Sequence, residues 1–166
     1  LDLSCCDNIT DVSSLGGVHT LSLSWCEKVR NVSKLGNVHT LNLNHCYGIT
    51  DVSMLGGVHD LNLSECINIT DVSALGEVHT LNLSACESLL MVAKMNITNV
   101  SALGGVHTLN LHHCDITDVS MLGGVHTLDL SRCSNITDVR ALGGVHTLDL
   151  SRCSNITDVS GLGGVH

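Results

Sequence analysis

The chain has 166 residues and a formal charge of −9, from 16 acidic and 7 basic side chains with 11 His counted neutral, so it lacks the positive face that a nucleic-acid backbone or an anionic membrane surface demands. No run of about 18 apolar residues is present to span a bilayer. With no Pro, no Phe, one Trp and one Tyr, any core must be filled by Leu, Val, Ile and Cys.

The stretch LGGVHTLDLSRCSNITDVRA, from Leu122 to Ala141, is the unit from which the chain is built. Its apolar residues Leu122, Val125, Leu128, Leu130, Cys133, Ile136 and Val139 are spaced 3, 3, 2, 3, 3 and 3. Only one step has the period of a strand, so each unit is expected to hold one short strand and otherwise to turn. Strand pairs open at Leu1, Leu21, Leu41, Leu61, Leu81, Leu109, Leu128 and Leu148, with spacings of 20, 20, 20, 20, 28, 19 and 20. This predicts one repeat array over 1–166, its core stacked along an axis. Leu1 falls in mid-repeat, so the chain is expected to be an excerpt of a longer array.

Within a unit, two leucines point inward and the residues around them, such as Thr20, Ser22 and Ser24, face out. Twenty residues leave no room for a three-turn helix, so the return path should be extended or a single 3₁₀ turn. The column Asp11, Asn31, Asp51, Asp71, Asn99, Asp118, Asp138 and Asp158 suits that turn, because a short acceptor there takes free N–H groups two or three residues on. A glycine pair then precedes each strand, read here as permitting positive φ, with the first glycine the stricter requirement because Asn37 and Glu77 replace the second. Two units break the period. Eight extra residues occupy 88–95, and one residue is missing between Cys114 and Ile116, where the edge turn must tighten.

Eight of the nine cysteines, Cys6, Cys26, Cys46, Cys66, Cys86, Cys114, Cys133 and Cys153, occupy one apolar column and read as free buried thiols, not as a disulfide framework. Such thiols favour a cytoplasmic, reducing setting. Nine N-x-S/T matches, at Asn8, Asn31, Asn62, Asn68, Asn82, Asn96, Asn99, Asn135 and Asn155, would reverse that to an extracellular one if glycosylated, and the compartment stays open.

Three surfaces are candidates for recognition. The first is the strand face, with Asn42, Asn62, Asn82, Asn110, Asp129 and Asp149 at its centre. The second is the strand-exit rim, the least uniform column, where Trp25, His45 with Tyr47, Glu65, His113, Arg132 and Arg152 stand. The third is the insertion, where Leu89, Leu90, Met91, Val92 and Met95 form an apolar patch that either folds onto its own coil or docks another chain. Histidines 19, 39, 59, 79, 107, 126, 146 and 166 recur just before each strand position, stacked one coil apart. Mutual repulsion should lower their folded pKa, so stability should fall as pH drops through the unfolded value of about 6.5. That column offers ligands for Zn²⁺ or Ni²⁺, yet side-by-side imidazoles are poorly disposed to tetrahedral geometry, and His112, His113 and Asp115 form a denser group; neither metal nor other cofactor is expected. No phosphate-cradling glycine pattern, HExxH, CxxC or nucleophile elbow occurs, which argues against an enzyme.

The units LSLSWCEKVRNVSKLGNVHT, LNLSECINITDVSALGEVHT and LDLSRCSNITDVRALGGVHT resemble leucine-rich repeats. The LxLSxC half is similar to the cysteine-containing class and ITDVSxL to the repeats of bacterial internalins. This resemblance implies a leucine-rich repeat solenoid, with eight short parallel strands on the concave face and 3₁₀ turns or extended segments on the convex face. It also implies use as a non-enzymatic protein-interaction scaffold. A structural rod or filament built by end-to-end self-association is the alternative, and binding to an ice or crystal surface through the regular Thr and Asn/Asp columns a minor one.

Overall fold

A computed structural model describes residues 1–85 and 96–166. Among the described residues, seven three-residue strands form a single parallel sheet in sequence order: β1 (Thr20–Ser22), β2 (Thr40–Asn42), β3 (Asp60–Asn62), β4 (Thr80–Asn82), β5 (Thr108–Asn110), β6 (Thr127–Asp129) and β7 (Thr147–Asp149). The expected eighth strand is reduced to a bridge between Asp2 and Ser22, because pairing there is confined to the bonds around Leu1 and Leu3. Register follows the repeat, Leu21 on Leu41 on Leu61 on Leu81. It survives the insertion, since Leu81 pairs with Leu109. The insertion patch Leu89, Leu90, Met91, Val92 and Met95, like Cys86, lies outside the described residues.

Inward packing makes such short strands stable. Both strand leucines of each coil from the second to the seventh, together with Val, Ile and Cys from the turns, lie within 2 % of complete burial and form one continuous apolar column. Each such side chain contributes roughly 1.5–3 kcal/mol, which outweighs the weak intrinsic preference of a three-residue strand.

The cysteine column is tied into this interior. The thiols of Cys26, Cys46, Cys66, Cys114, Cys133 and Cys153 donate to the carbonyl oxygens of Leu3, Leu23, Leu43, Leu83, Leu111 and Leu130 on the preceding described coil, at 3.0–3.3 Å. A small apolar side chain with one weak donor fits a slot that holds one spare carbonyl lone pair. Burial pushes the Cys46 and Cys133 thiols up to about 12.

On the back, the described residues turn through five 3₁₀ segments, Ser13–Leu15, Ser73–Leu75, Ser101–Gly105, Arg140–Gly144 and Ser160–Leu162, with non-helical turns in the coils between. The Asp/Asn column supports every one of these turns. Asp11, Asn31, Asp51, Asp71, Asn99, Asp118, Asp138 and Asp158 each accept the backbone N–H two residues on, at 2.9–3.0 Å. These bonds hold the aspartates below the ordinary carboxylate range, and Asp138, which first takes the Arg140 guanidinium and then its N–H, falls to about 2.

The glycine pair has another cause than the one its sequence suggests. Among the described residues no glycine has positive φ. A Cβ on the first glycine of the pair would instead lie against the carbonyl oxygen of the next coil, 2.1 Å at Gly16 and 2.3 Å at Gly76. The second glycine meets the coil before instead: a Cβ would lie 2.7 Å from the Gly36 carbonyl oxygen at Gly57 and 2.8 Å from that of Gly76 at Gly105, whereas Gly17 in the first coil has nothing within 4 Å, and two coils carry Asn37 and Glu77 at this position.

Candidate interaction surface

Positive φ sits elsewhere, on the strand-exit rim. Cys5, Trp25, His45, Glu65, His113, Arg132 and Arg152 all adopt left-handed backbone with φ of 58–64°. Each is the third residue of a turn closed by the cysteine N–H on the second strand leucine, as Cys26 does on Leu23 at 3.0 Å. Position i+2 of such a turn ordinarily calls for Gly or Asn, and neither occurs in this column. That missing signal is why the sequence shows the column only as variable.

The turn is braced from the sheet face. Asn42, Asn62, Asn82, Asn110, Asp129 and Asp149 each turn Oδ1 back to accept the N–H two residues on, at 2.7–3.1 Å. These centre-of-sheet residues therefore hold the backbone with Oδ1, and Asn42 also donates Nδ2 to Ser22 Oγ at 3.4 Å. Their neighbours satisfy each other: Asn44 Nδ2 donates to Ser64 Oγ at 2.6 Å, and His112 Nδ1 lies 2.7 Å from Ser131 Oγ. The result is a face of short, mutually bonded polar groups, with Ser64 and Ser131 buried among them.

The rim carries what that face lacks. Trp25 and His45 stack with ring centroids 3.7 Å apart and planes 19° off parallel. Tyr47 meets His45 edge-on at 5.8 Å, and its hydroxyl lies 2.8 Å from His45 Nδ1. Desolvation lowers the His45 pKa against the raising influence of Glu65 and Glu27, and the same burial raises that of Tyr47. A neutral imidazole and a neutral phenol are thus the forms present near neutrality, and the trio is an uncharged aromatic cluster with Trp25 43 % exposed at its outer end. Further along, Glu65 is buried, His113 and Arg132 are half-buried and Arg152 is exposed. His112 and His113 rings stand 6.2 Å apart, and Asp115 accepts from Asn135 at 2.8 Å, so the denser group foreseen from sequence is not drawn together into a ligand set.

The sequon asparagines have structural work of their own. Asn68, Asn96 and Asn155 donate Nδ2 to the carbonyls of Tyr47, Ile67 and Ser134 on the coil before, at 2.7–2.9 Å. Inter-coil bonding accounts for the recurrence of Asn in N-I-T. On the back, shallow grooves recur between coils, one of about 330 Å³ lined by Val100, Met121 and Leu122 and another beside Val32 and Met54, as expected of the repeat itself and not of one distinct site.

Parallel coils of one strand and one tight turn, closed over aliphatic side chains, define a leucine-rich repeat solenoid. Solved structures agree at the level of the fold. An internalin (inlF) from Listeria monocytogenes superposes with a TM-score of 0.56 at 19 % identity, over 95 % of this chain and 56 % of that one. Internalin C2 of the same organism gives 0.63 at 21 % identity, over 99 % of this chain and 77 % of its own. The functional domain of its InlJ, a structure described as including a cysteine ladder, gives 0.49 at 19 % identity, over 99 % and 47 %. The chain therefore spans little more than half the length of the first of these. No family model matches the sequence, and no curated protein matches it. Among the described residues, no helix is long and apolar enough to cross a membrane.

Proposed function

We propose that the chain is a non-enzymatic protein-interaction scaffold that docks its partner on the sheet face and the strand-exit rim, anchored at Trp25, His45 and Tyr47. The observation that carries this reading is the aromatic stack. A large, half-exposed ring is held against a neutral imidazole on rigid backbone, beside a sheet whose own polar groups are already bonded. Binding energy at protein interfaces concentrates on such preorganised aromatic anchors, whereas a bonded polar surface contributes selectivity. Asn42, Asn62, Asn82 and Asn110, then Asp129 and Asp149, would read the partner through their outward amide or carboxylate atom. His113, Arg132 and Arg152 form the far end of the same rim and Glu65 its buried middle. The insertion patch of Leu89, Leu90, Met91, Val92 and Met95 lies outside the described residues and is kept as a separate candidate contact.

The test uses the single Trp as its reporter. Peptides selected on the native protein from a display library should shift Trp25 emission on binding and lose at least tenfold in affinity on Trp25→Ala or Tyr47→Ala. Selected binders that leave the emission unmoved and protect the back of the solenoid from hydrogen exchange would overturn the assignment.

A further inference from the structure

The histidine column forms a continuous ring stack. Centroids of His19, His39, His59 and His79 follow one another at 4.7, 4.6 and 4.5 Å with planes 10–14° apart. In six of the seven strands the next residue is Thr, and at His19, His39, His79 and His126 its hydroxyl sits beside Nδ1, 3.2 Å away at His39 with Thr40 and at His126 with Thr127. At β3 the Thr is replaced by Asp60. Its Oδ1 lies 3.1 Å from His59 Nδ1, and its Oδ2 accepts from Thr40 Oγ1 at 3.4 Å. Here the imidazole column meets an anionic oxygen donor.

We propose that His39, His59 and Asp60 form a surface site for a divalent transition-metal ion, best matched by Zn²⁺, with water completing the coordination. One ligand atom from each of the three falls within 4.8 Å of the others, the sole such trio among the described residues. Ligand atoms around a tetrahedral Zn²⁺ stand about 3.4 Å apart, given bonds of 2.0–2.2 Å. The contraction needs only side-chain rotation, which exposed groups allow: the His59 and Asp60 side chains are 47 % and 38 % accessible. Two stacked imidazoles alone approach an ion from nearly one direction, and the carboxylate supplies the third. Two borderline imidazole nitrogens beside a single carboxylate oxygen suit Zn²⁺ and disfavour Ca²⁺ and Mg²⁺, which take all-oxygen sites. Coils that keep Thr offer imidazoles without that oxygen and should bind more weakly.

The column itself provides the control, because Asp60→Thr installs the residue that β2 and β4 already carry. Protein bearing no polyhistidine tag is titrated with ZnCl₂ by calorimetry in a non-coordinating buffer at pH 7.5, and Co²⁺ is followed by its visible absorption. One equivalent should bind to the native chain, weakened at least tenfold in Asp60→Thr and in His39→Asn, with circular dichroism and the urea midpoint confirming that both variants are folded. Absence of a stoichiometric binding event, or affinity unchanged in either folded variant, would overturn the site.

Discussion

Seven rim residues occupy left-handed backbone without being glycine, and this conformation costs an L-residue roughly 1–2 kcal/mol. The turn demands it, since the cysteine N–H must reach back to the strand leucine and the Asn or Asp two residues earlier in the strand must catch the intervening N–H. Side-chain identity at this position is then free to vary, within a limit set by branching at Cβ. Arg152 is exposed and has φ of 62°, so Arg152→Val should lower stability by about 1–2 kcal/mol in urea unfolding while Arg152→Gly should lose none. Equal midpoints for the Val and Gly variants would remove the backbone argument. None of this shows in the sequence, where the usual Gly or Asn marker of the turn is absent.

At the level of the coil, the two glycines of a pair have separate roles. The first lets a carbonyl of the next coil approach to a distance that no Cβ tolerates, and the second does the same toward the coil before, 2.7 Å at Gly57, but is open at Gly17 in the first coil. Gly76→Ala should therefore destabilise by more than about 2 kcal/mol, since the opposing atom, the Ala102 carbonyl oxygen, is backbone and cannot swing aside. Gly17→Ala, at negative φ with free space, should raise stability by about 0.4–1 kcal/mol through the unfolded chain. Thermal melts of both variants check the contrast. The replacements Asn37 and Glu77 already pointed to the first position as the strict one, although the reason, a contact between coils, is invisible in one coil taken alone.

For the whole molecule, stacking makes one interior and one charge ladder. The buried thiols of Cys26, Cys46, Cys66, Cys114 and Cys133 should be unreactive toward a disulfide reagent until the chain unfolds, since burial raises their pKa, that of Cys46 and Cys133 to about 12, while exposed Cys5 reacts at once. Rapid modification of most thiols in the native state would contradict the packing. One member of the histidine column, His126, should make stability pH-dependent. His126 has its pKa lowered, first by desolvation and then by the charges of His107 and His146 on either side. Desolvation thus precedes the repulsion foreseen from sequence. With the folded pKa below the unfolded value of about 6.5, the unfolded chain binds more protons as pH falls, so the stabilisation is present above that value and is lost below it. The urea midpoint should drop between pH 7.5 and 5.5, and the drop should shrink in His126→Asn.

The sequence by itself determined the period, the strand positions, the inward columns and the acceptor column on the back, because each is a local rule repeated until chance is excluded: a two-residue step among three-residue steps, an Asx residue ahead of a turn. Tertiary structure decided what passes between coils. The S–H to carbonyl bonds, the glycine contacts, the Trp25 and His45 stack and the meeting of His39 with His59 and Asp60 all join residues about twenty positions apart, and their distances exist only once one coil lies on the next.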